Sequence, residues 1–445
     1  MSEEPPRPVS DDRDAWNTYW ATQGMPWRAE PEIEEKRQRY LTERRAIRHD
    51  FERGIYPFGG VQLARADVEW LLATHESGGI RGPVDVSDVV QQMRDGLDMR
   101  GADLRGQDLS GLPLARMRGG ITRREWLFVT GKQREAAAVH LEDTTLRGTH
   151  LEGANLRCAY LERAYLHEAH LEGSELVQAH LEGAVLFHAY LNGKVPHAER
   201  PDIQPRQSGG KGKYMALPPA DLHLAFFDNA TSLYNAVLGD HEQGGIRVAD
   251  ARWNEVNLAR ADWRQFEIIG DESVARQSHT ANGEIKTGRR RLEEYQTAVR
   301  AYRQLAIALR DQGINENADR FAYRAQMLQR QVLRRQRQWF RYLGSLLLDL
   351  IAGYGYRPAR AFLAYVAVLL VFAAAFLLNA QLAAPHLTWD EALVLSISSF
   401  HGRGFFTSGV SLSDTLARLA AGEAMIGLLI EITFIATFTQ RFFAR

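Results

Sequence analysis

The stretch LEDTTLRGTHLEGANLRCAYLERAYLHEAHLEGSELVQAHLEGAVLFHAYL, residues 141–191, decides the fold. Leucine recurs at 141, 146, 151, 156, 161, 166, 171, 176, 181, 186 and 191, eleven times without a miss. Two residues before each leucine stands a small or β-branched residue: Val139, Thr144, Thr149, Ala154, Ala159, Ala164, Ala169, Ser174, Ala179, Ala184 and Ala189. A period of five matches neither the 3.6-residue helix nor the two-residue strand, so both regular elements are excluded here. Such a repeat calls for a solenoid, in which each unit buries its apolar face against the next.

Weaker copies flank this run. Met99, Leu104, Leu109 and Leu114 precede it, and Gly101-Ala-Asp-Leu-Arg105 is a near-perfect unit. Ala220-Asp-Leu222, Ala225-Phe-Phe227, Ala251-Arg-Trp253, Val256-Asn-Leu258 and Ala261-Asp-Trp263 follow it. These units resemble the pentapeptide-repeat family, whose A(D/N)LXX pattern implies a right-handed four-sided β-solenoid with the leucine and the small residue pointing inward. The expected solenoid covers 96–270, with insertions at 115–138 and 193–218. The second insertion contains Gln207-Ser-Gly-Gly-Lys-Gly-Lys213, read as a loop rather than a phosphate cradle, because no strand-to-helix context surrounds it.

Four repeats per turn place residues twenty apart above one another. Glu142, Glu162 and Glu182 then form one ladder beside His140, Tyr160 and His180, while Glu152 and Glu172 accompany His150 and His170 on the opposite face. Stacked carboxylates repel by about 1 kcal/mol even in water. Bound cations or protonated histidines would offset that; the plainer reading is a solvated acidic face with no metal. Residues 139–193 hold eight acids against three arginines, which also fits that family's DNA-mimicking inhibitors. The membrane hairpin of this chain opposes that alternative.

Residues 359–440 contain the two apolar stretches long enough to cross a bilayer. The first, from Ala361 to Leu382, has 22 residues with Asn379 and Gln381 as its strongly polar members. At 1.5 Å per residue it reaches about 33 Å. The second runs from about Leu416 to Phe438. Between them Thr388-Trp-Asp-Glu391 reads as a capping box, Thr388 at N-cap and Glu391 at N3, opening a short apolar helix from Trp389 through Ser398 to about Ser399. That helix is too short to span and leads into Phe400-His-Gly-Arg-Gly-Phe-Phe406. Two glycines flanking one residue at this place imply backbone lining a polar pathway.

This segment resembles the pore module of the two-transmembrane potassium-channel superfamily, over about 90 residues. The family filter reads Thr-Val-Gly-Tyr-Gly-Asp. Matching its glycines to Gly402 and Gly404 puts Phe400, His401, Arg403 and Phe405 at the Thr, Val, Tyr and Asp places, so only the glycines are kept. The resemblance implies a tetramer of outer helix, re-entrant pore helix, filter and inner helix. On the inner helix Glu423 and Glu431 flank Gly427, which falls at the hinge-glycine position. With three filter side chains replaced, dense potassium selectivity is expected to be lost. Arg403 either pairs with Glu423, or with Asp390 and Glu391, or turns to the axis, where a ring of positive charge would favour anions. The paired placement leaves the pore weakly selective or shut, with His401 adding pH dependence between about 5 and 7.

The 445 residues allow two to four domains. Met1 to about Asp12 is polar and Pro-rich and reads as disordered; within 1–95 the rest reads as a helical, aromatic cap over the solenoid's open end. Residues 283–352 read as a basic helical hairpin, similar to one tetratricopeptide-type unit, followed by an interfacial helix. Residues 353–445 form the pore hairpin, with Tyr354, Tyr356 and Arg357 as interfacial coupling anchors. Six arginines and no acid between Arg324 and Arg341 place both termini in the cytoplasm and favour a lipid bilayer over nucleic acid as partner. Cys158 is the one cysteine, which suits a reducing compartment, and the first 25 residues lack the apolar core of a cleavable signal. No HExxH, GxSxG, Walker loop or Cys/His metal spacing occurs, so no enzyme activity and no cofactor are expected. The expectation is a multi-pass protein of the cytoplasmic membrane: a tetrameric, channel-like pore carrying a cytoplasmic pentapeptide-repeat domain. The alternative is a non-conducting, membrane-anchored scaffold whose solenoid binds a cytoplasmic protein.

Overall fold

The structure, a computed structural model, describes residues 7–8, 12–88, 90–193, 217–242, 244–280, 284–356, 358–383, 387–402 and 415–442. The chain divides into two compact units, Met1–Ala318 and Asp319–Arg445. Most of the segment 1–12 read as disordered lies outside the described residues.

In the first unit α1 (Arg13–Thr22), α2 (Glu35–Arg45) and α3 (Arg65–Ala73) precede the solenoid. Asp12 caps α1 by accepting the Asp14 N–H at 3.1 Å, and Trp16 and Trp20 are buried, with the Arg28 guanidinium 3.7 Å over the Trp20 ring. The chain then lies along the first coil. Asp103 N–H donates to the Val61 carbonyl and Leu63 N–H to the Asp103 carbonyl, both at 2.9 Å. These bonds occupy a backbone edge that would otherwise be open to pairing with another chain.

The solenoid walls are ladders of single-residue parallel bridges. His140, Tyr160 and His180 form one, Thr145, Tyr165 and Val185 the next, His150, His170 and Tyr190 the third, and Asn155 and Glu175 the fourth. Each step is twenty residues, so four pentapeptides close one turn. Leu166 N–H donates to the Val185 carbonyl of the following coil at 2.8 Å, and Tyr165 N–H to the Thr144 carbonyl of the preceding one at 2.9 Å. All eleven leucines are fully buried, as are the small residues two positions earlier. The inward hydroxyls of Thr144 and Thr149 donate to the Leu104 and Leu109 carbonyls at 3.0 Å, so burying them leaves no donor unmet. A left-handed residue turns the corner two positions after each leucine from Leu141 to Leu186: Gly148, Gly153, Gly173 and Gly183 take it freely, while Asp143, Cys158, Arg163, Glu168, Gln178 and His188 adopt φ of 55–58°.

The repeat differs from its expected limits at two places. Met117 is buried and Arg118 bridges both Asp98 and Asn155, so the first insertion begins after Gly119 rather than at residue 115. Gly119 hides this because it stands where leucine is due; a Cβ there would meet Val139 Cγ1 at 2.7 Å. The inserted segment carries α4 (Gly131–Ala137), whose Ala137 packs with Tyr56, Ile121 and Val129. Of the second insertion, 194–216 lies outside the described residues, including the Gln207–Lys213 loop. The coil resumes at Ala220, and its next bridges, Asp221 to Arg247 and Phe226 to Arg252, are 26 residues apart because a small hairpin, Gly239–Asp240 with Gly244–Gly245, is inserted. Inward leucines give way there to Phe227 and Trp253, stacked at 5.0 Å, and to Trp263.

Helices α5 (Gly270–Arg276) and α6 (Gly288–Asp311) close this end. On α6, Gln304 Oε1 accepts the Asp250 N–H at 3.0 Å, and Gln312, at its C-cap, accepts from Leu258 N–H at 2.8 Å and donates to the Val256 carbonyl at 2.5 Å. Tyr302 Oη donates to Glu272 at 2.6 Å and accepts from Ile269 N–H at 3.0 Å. Helix α6 thus belongs with the solenoid, and the 283–352 segment read as one hairpin is divided between the two units. The second unit takes in α7 (Asn315–Arg335) from Asp319 onward, then α8 (Trp339–Ala352), α9 (Pro358–Ala383), α10 (Trp389–Phe400) and α11 (Thr415–Phe442).

Two outcomes follow for stability. Leu166→Asp puts a carboxylate into the packed interior and should cost about 3–5 kcal/mol, whereas Glu168→Gln, at an exposed corner, should change stability by less than about 0.5 kcal/mol; equal shifts in melting temperature would contradict the inward assignment. Burial pushes the Asp271 carboxyl, which accepts the Val248 N–H at 2.8 Å, up to about 6, against the attraction of Arg247. A carboxyl raised in the folded state binds its proton more tightly there, so stability is lost as pH rises from about 4 to about 6. Unfolding of Asp271→Asn against wild type should show an advantage for the variant that grows across this window, by up to about 3 kcal/mol; an unchanging difference would contradict a charge buried at this position.

Candidate functional site

The second unit turns on a lone carboxylate and a hairpin that buries polar groups within an apolar exterior. Asp349 is the single acid between Asp319 and Asp390. It accepts from Arg330 at 2.8 Å and Tyr323 Oη at 3.0 Å and lies 3.5 Å from Arg360, so it ties α7, α8 and α9 together. The sequence reading passed over Asp349; an isolated acid within a basic and apolar stretch was the available signal. The opposite side of α8 exposes Trp339, Phe340, Leu343, Leu346, Leu347 and Leu350, with Phe340 93% exposed. At its end Gly353, Tyr354 and Gly355 are left-handed, and this turn redirects the chain into α9. Tyr354 Oη lies 2.7 Å from Ser345 Oγ, and the Tyr354 and Tyr356 rings sit 6.1 and 6.4 Å from that of Tyr323. Two expected anchors therefore pack on α7; Arg357 lies outside the described residues.

Helix α9 carries a 22-residue span, Ala359–Ala380, of mean hydropathy 2.8, the one helix among the described residues that is both long and apolar enough to cross a membrane. Helix α11 has 28 residues and carries Arg418, Glu423 and Glu431 within its apolar run, and among the described residues one of the expected pair of spans is found. Between them α10 begins as the sequence indicates, with Thr388 N–H donating to Glu391 Oε2 at 2.9 Å. Ala392 of α10 packs with Ala373 and Phe376 of α9 and Ala420 of α11, and Phe400 packs with Leu369 and Ile430.

Polar groups gather inside this hairpin. Glu423 is fully buried, and its Oε1 lies 2.5 Å from Ser396 Oγ, which is also 3.0 Å from the Leu369 carbonyl. Glu423 Oε2 and Ser399 Oγ are buried with no hydrogen-bond partner. His401 pairs through Nδ1 with Glu431, and its Nε2 is 3.5 Å from Tyr365 Oη. The structure thus brings Ser399, Phe400, His401, Glu423, Gly427 and Glu431 together at one end of α10. Glu391 stays at the other end as part of the cap, and Ser398 is exposed, donating to the Val394 carbonyl at 2.8 Å. Outward, Phe362, Leu363, Val371 and Leu378 of α9 and Met425, Leu428, Ile432 and Ile435 of α11 are all more than half exposed. A carboxylate inside and an apolar exterior suit lipid or other copies of the helices rather than water.

Both glycines of this site have local explanations. Gly402 has φ +68° and its N–H donates to the Ser399 carbonyl at 2.9 Å, the arrangement of a glycine that ends a helix, so a glycine at this place needs no filter. Arg403, Gly404 and Phe405, and with them the expected partnership of Arg403, lie outside the described residues. Helix α11 runs unbroken through Gly427, where a Cβ would stand 2.2 Å from the Phe400 carbonyl oxygen. Gly427 is a contact point between helices, which accounts for a glycine at this position.

On the solenoid, the expected ladders form with their rings stacked. His140, Tyr160, His180 and Phe226 succeed one another at 4.7, 5.1 and 4.6 Å; His150, His170 and Tyr190 do so at 4.8 Å. Each histidine Nδ1 faces the carboxylate two residues on, at 3.0 Å for Glu142, 3.1 Å for Glu152, 3.2 Å for Glu172 and 3.5 Å for Glu182. The acids differ in solvation: Glu142 and Glu182 are 17% and 32% exposed, each with one buried oxygen, whereas Glu152 and Glu172 are fully buried, so the expected solvated acidic face fails for the second ladder. A third surface is a shallow groove of about 690 Å³ lined by Tyr165, His167, Phe187 and Tyr234 between Arg147 and Arg260. Burial pushes the Cys158 thiol up to about 11, which disfavours its thiolate.

A family model described as pentapeptide repeats (8 copies) matches residues 137–173 and 164–193. Among solved structures, the chain is similar to HetL, a pentapeptide repeat protein involved in heterocyst differentiation regulation from the cyanobacterium Nostoc sp. strain PCC 7120, at 20% identity over 35% of this chain and 52% of that one, with a TM-score of 0.17. It is also similar to Rfr23 from the cyanobacterium Cyanothece 51142, at 21% identity over 34% and 91% of the two chains, TM-score 0.13. A pentapeptide repeat protein of the Arabidopsis thaliana thylakoid lumen matches at 15% identity over 46% and 90%, TM-score 0.12. The chain spans about half the length of HetL. No curated protein sequence matches the chain.

The contact between α10 and α11 gives a paired test. Gly427→Ala must push the Phe400 carbonyl aside and should destabilise the second unit by about 1–3 kcal/mol. Gly422→Ala, which meets nothing within 4 Å, should be neutral or stabilising by up to about 1 kcal/mol. Thermal unfolding in detergent measures both; a Gly427→Ala as stable as Gly422→Ala would contradict the close approach.

Proposed function

We propose that the chain is a membrane protein whose second unit forms an oligomeric, channel-like pore, with four copies as the potassium-channel resemblance implies. In this reading the pentapeptide-repeat solenoid is its cytoplasmic regulatory domain. The observation that carries the proposal is α10: a capped helix of 12 residues held between two long helices, with Ser396, Ser399 and Glu423 turned inward and apolar side chains outward. A simple two-helix anchor needs neither a half-length helix nor a buried carboxylate in its middle. The unmet oxygens of Glu423 and Ser399 favour a further polar partner at this place in the assembled membrane protein, supplied by water, an ion or a neighbouring copy.

In this reading α9 and α11 both cross the bilayer, α11 being about 42 Å long, and α8 lies at the cytoplasmic interface with its apolar side in lipid. Lipid, rather than nucleic acid, is the partner of the arginines. The filter is degenerate, with Phe400, His401 and Arg403 in place of the side chains that hold potassium filters rigid, so conduction is weakly selective. His401 against Glu431 supplies a titratable contact beside it. No enzymatic step and no cofactor enters the proposal. The second reading, a non-conducting anchored scaffold, is favoured by the aromatic groove between Arg147 and Arg260, a surface suited to a protein partner.

Purified protein reconstituted into liposomes under a KCl gradient tests this. The expected result is a conductance absent from protein-free vesicles, with a reversal potential well short of the potassium equilibrium value and altered in Glu423→Gln. Strong potassium selectivity would contradict the filter argument, and flux equal to that of empty vesicles would leave the scaffold reading.

A further inference from the structure

The solenoid places the segments His150-Leu-Glu-Gly153 and His170-Leu-Glu-Gly173 one coil apart, so two His-x-Glu dyads stack in register. One ligand atom from each of His150, Glu152 and His170 lies within 4.8 Å of the others. Glu172 stands beside this trio on the upper rung and touches it through His170, its Oε1 3.2 Å from His170 Nδ1. Both carboxylates are fully buried, and Glu172 Oε2 has no hydrogen-bond partner. The two imidazoles remain 28% and 17% exposed, which leaves an approach from solvent. We propose that these four side chains form a binding site for one divalent transition-metal ion of the zinc type, held by the two imidazole Nδ1 atoms and the carboxylates of Glu152 and Glu172.

Two buried carboxylates one coil apart repel each other, and a divalent cation between them removes that repulsion while giving the unmet oxygen a ligand. Two nitrogens with two oxygens select a borderline ion such as Zn2+ over Ca2+ or Mg2+, which take oxygen alone. The ladder also fixes the stoichiometry. Pro113 stands one rung below His150 and Tyr190 one rung above His170, so neither neighbouring rung adds a ligand of this kind and one ion is accommodated. The opposite face supplies the comparison: Glu162, His180 and Glu182 also cluster, but Tyr160 occupies the place of a second imidazole, and His180 and Glu182 are each a third exposed.

Full-length protein in detergent, stripped of metal, is titrated with Zn2+ by calorimetry and with Co2+ by visible absorption. The expected result is one equivalent bound, a tetrahedral Co2+ spectrum, and a rise in melting temperature with Zn2+. His150→Gln and His170→Gln should each weaken binding at least about tenfold and remove the metal-dependent rise. Glu172→Gln, of the same size and able to keep the ladder folded, should weaken it too, while His180→Gln should leave it unchanged. Absence of saturable Zn2+ binding by wild type would overturn the proposal, as would equal affinity in the Glu172→Gln and wild-type proteins, or a loss confined to His180→Gln.

Discussion

The hydrogen bonds that each coil of the solenoid sends to the next constrain everything else in the first unit. Because Leu166 N–H must meet the Val185 carbonyl and Tyr165 N–H the Thr144 carbonyl, each residue is locked above the one twenty positions earlier. Between 139 and 191 the interior is filled by leucine and small or β-branched partners, the corners take a left-handed residue every fifth position, and surface side chains stack whether or not their chemistry favours it. Histidine on tyrosine at 4.7 Å is a consequence of the backbone, and so is carboxylate above carboxylate. The ends face the complementary problem, since a coil with no successor has unmet amides and carbonyls. Residues 61–63 answer it at one end; at the other, Gln304 and Gln312 bond directly to coil backbone.

The second unit differs in its outer surface. Its buried positions include Glu423, Ser396 and Ser399 among apolar residues, and large apolar side chains such as Phe362, Leu363, Val371, Leu428 and Ile432 stand exposed. Such a surface is stable where the surroundings are themselves apolar, which is the physical case for placing α9, α10 and α11 in a bilayer. Asp349 shows how the entry to that hairpin is held: one carboxylate accepts from an arginine and a tyrosine, so α8 cannot leave α7 without stranding a charge.

Much of this was legible from spacing alone, because a period of five is a strict consequence of four-sided coiling and survives substitution at the other three positions. The inward and outward faces of residues 139–191, the capping box at Thr388 and the half-length helix after it could all be read directly. What escaped were departures from periodicity with a steric cause. Gly119 conceals a coil position because a side chain there would strike Val139, and the Gly239–Gly245 hairpin stretches the later coils from twenty residues to 26. In the hairpin, Gly402 and Gly427 carried the family resemblance, yet helix termination and a close approach to Phe400 account for them. Asp349 was missed because its partners come from two other helices, α7 and α9, a tertiary fact that no local pattern encodes.

The account rests on α9 and α11 forming a pair of crossings around α10, and composition alone marks only α9 among the described residues. Fusing a green fluorescent protein and, separately, an alkaline phosphatase to each end of the chain measures this directly. The account predicts fluorescence and no phosphatase activity at both the N-terminus and after Arg445. Phosphatase activity after Arg445, with fluorescence retained at the N-terminus, would mean a single crossing by α9 and would contradict the re-entrant hairpin and the pore together.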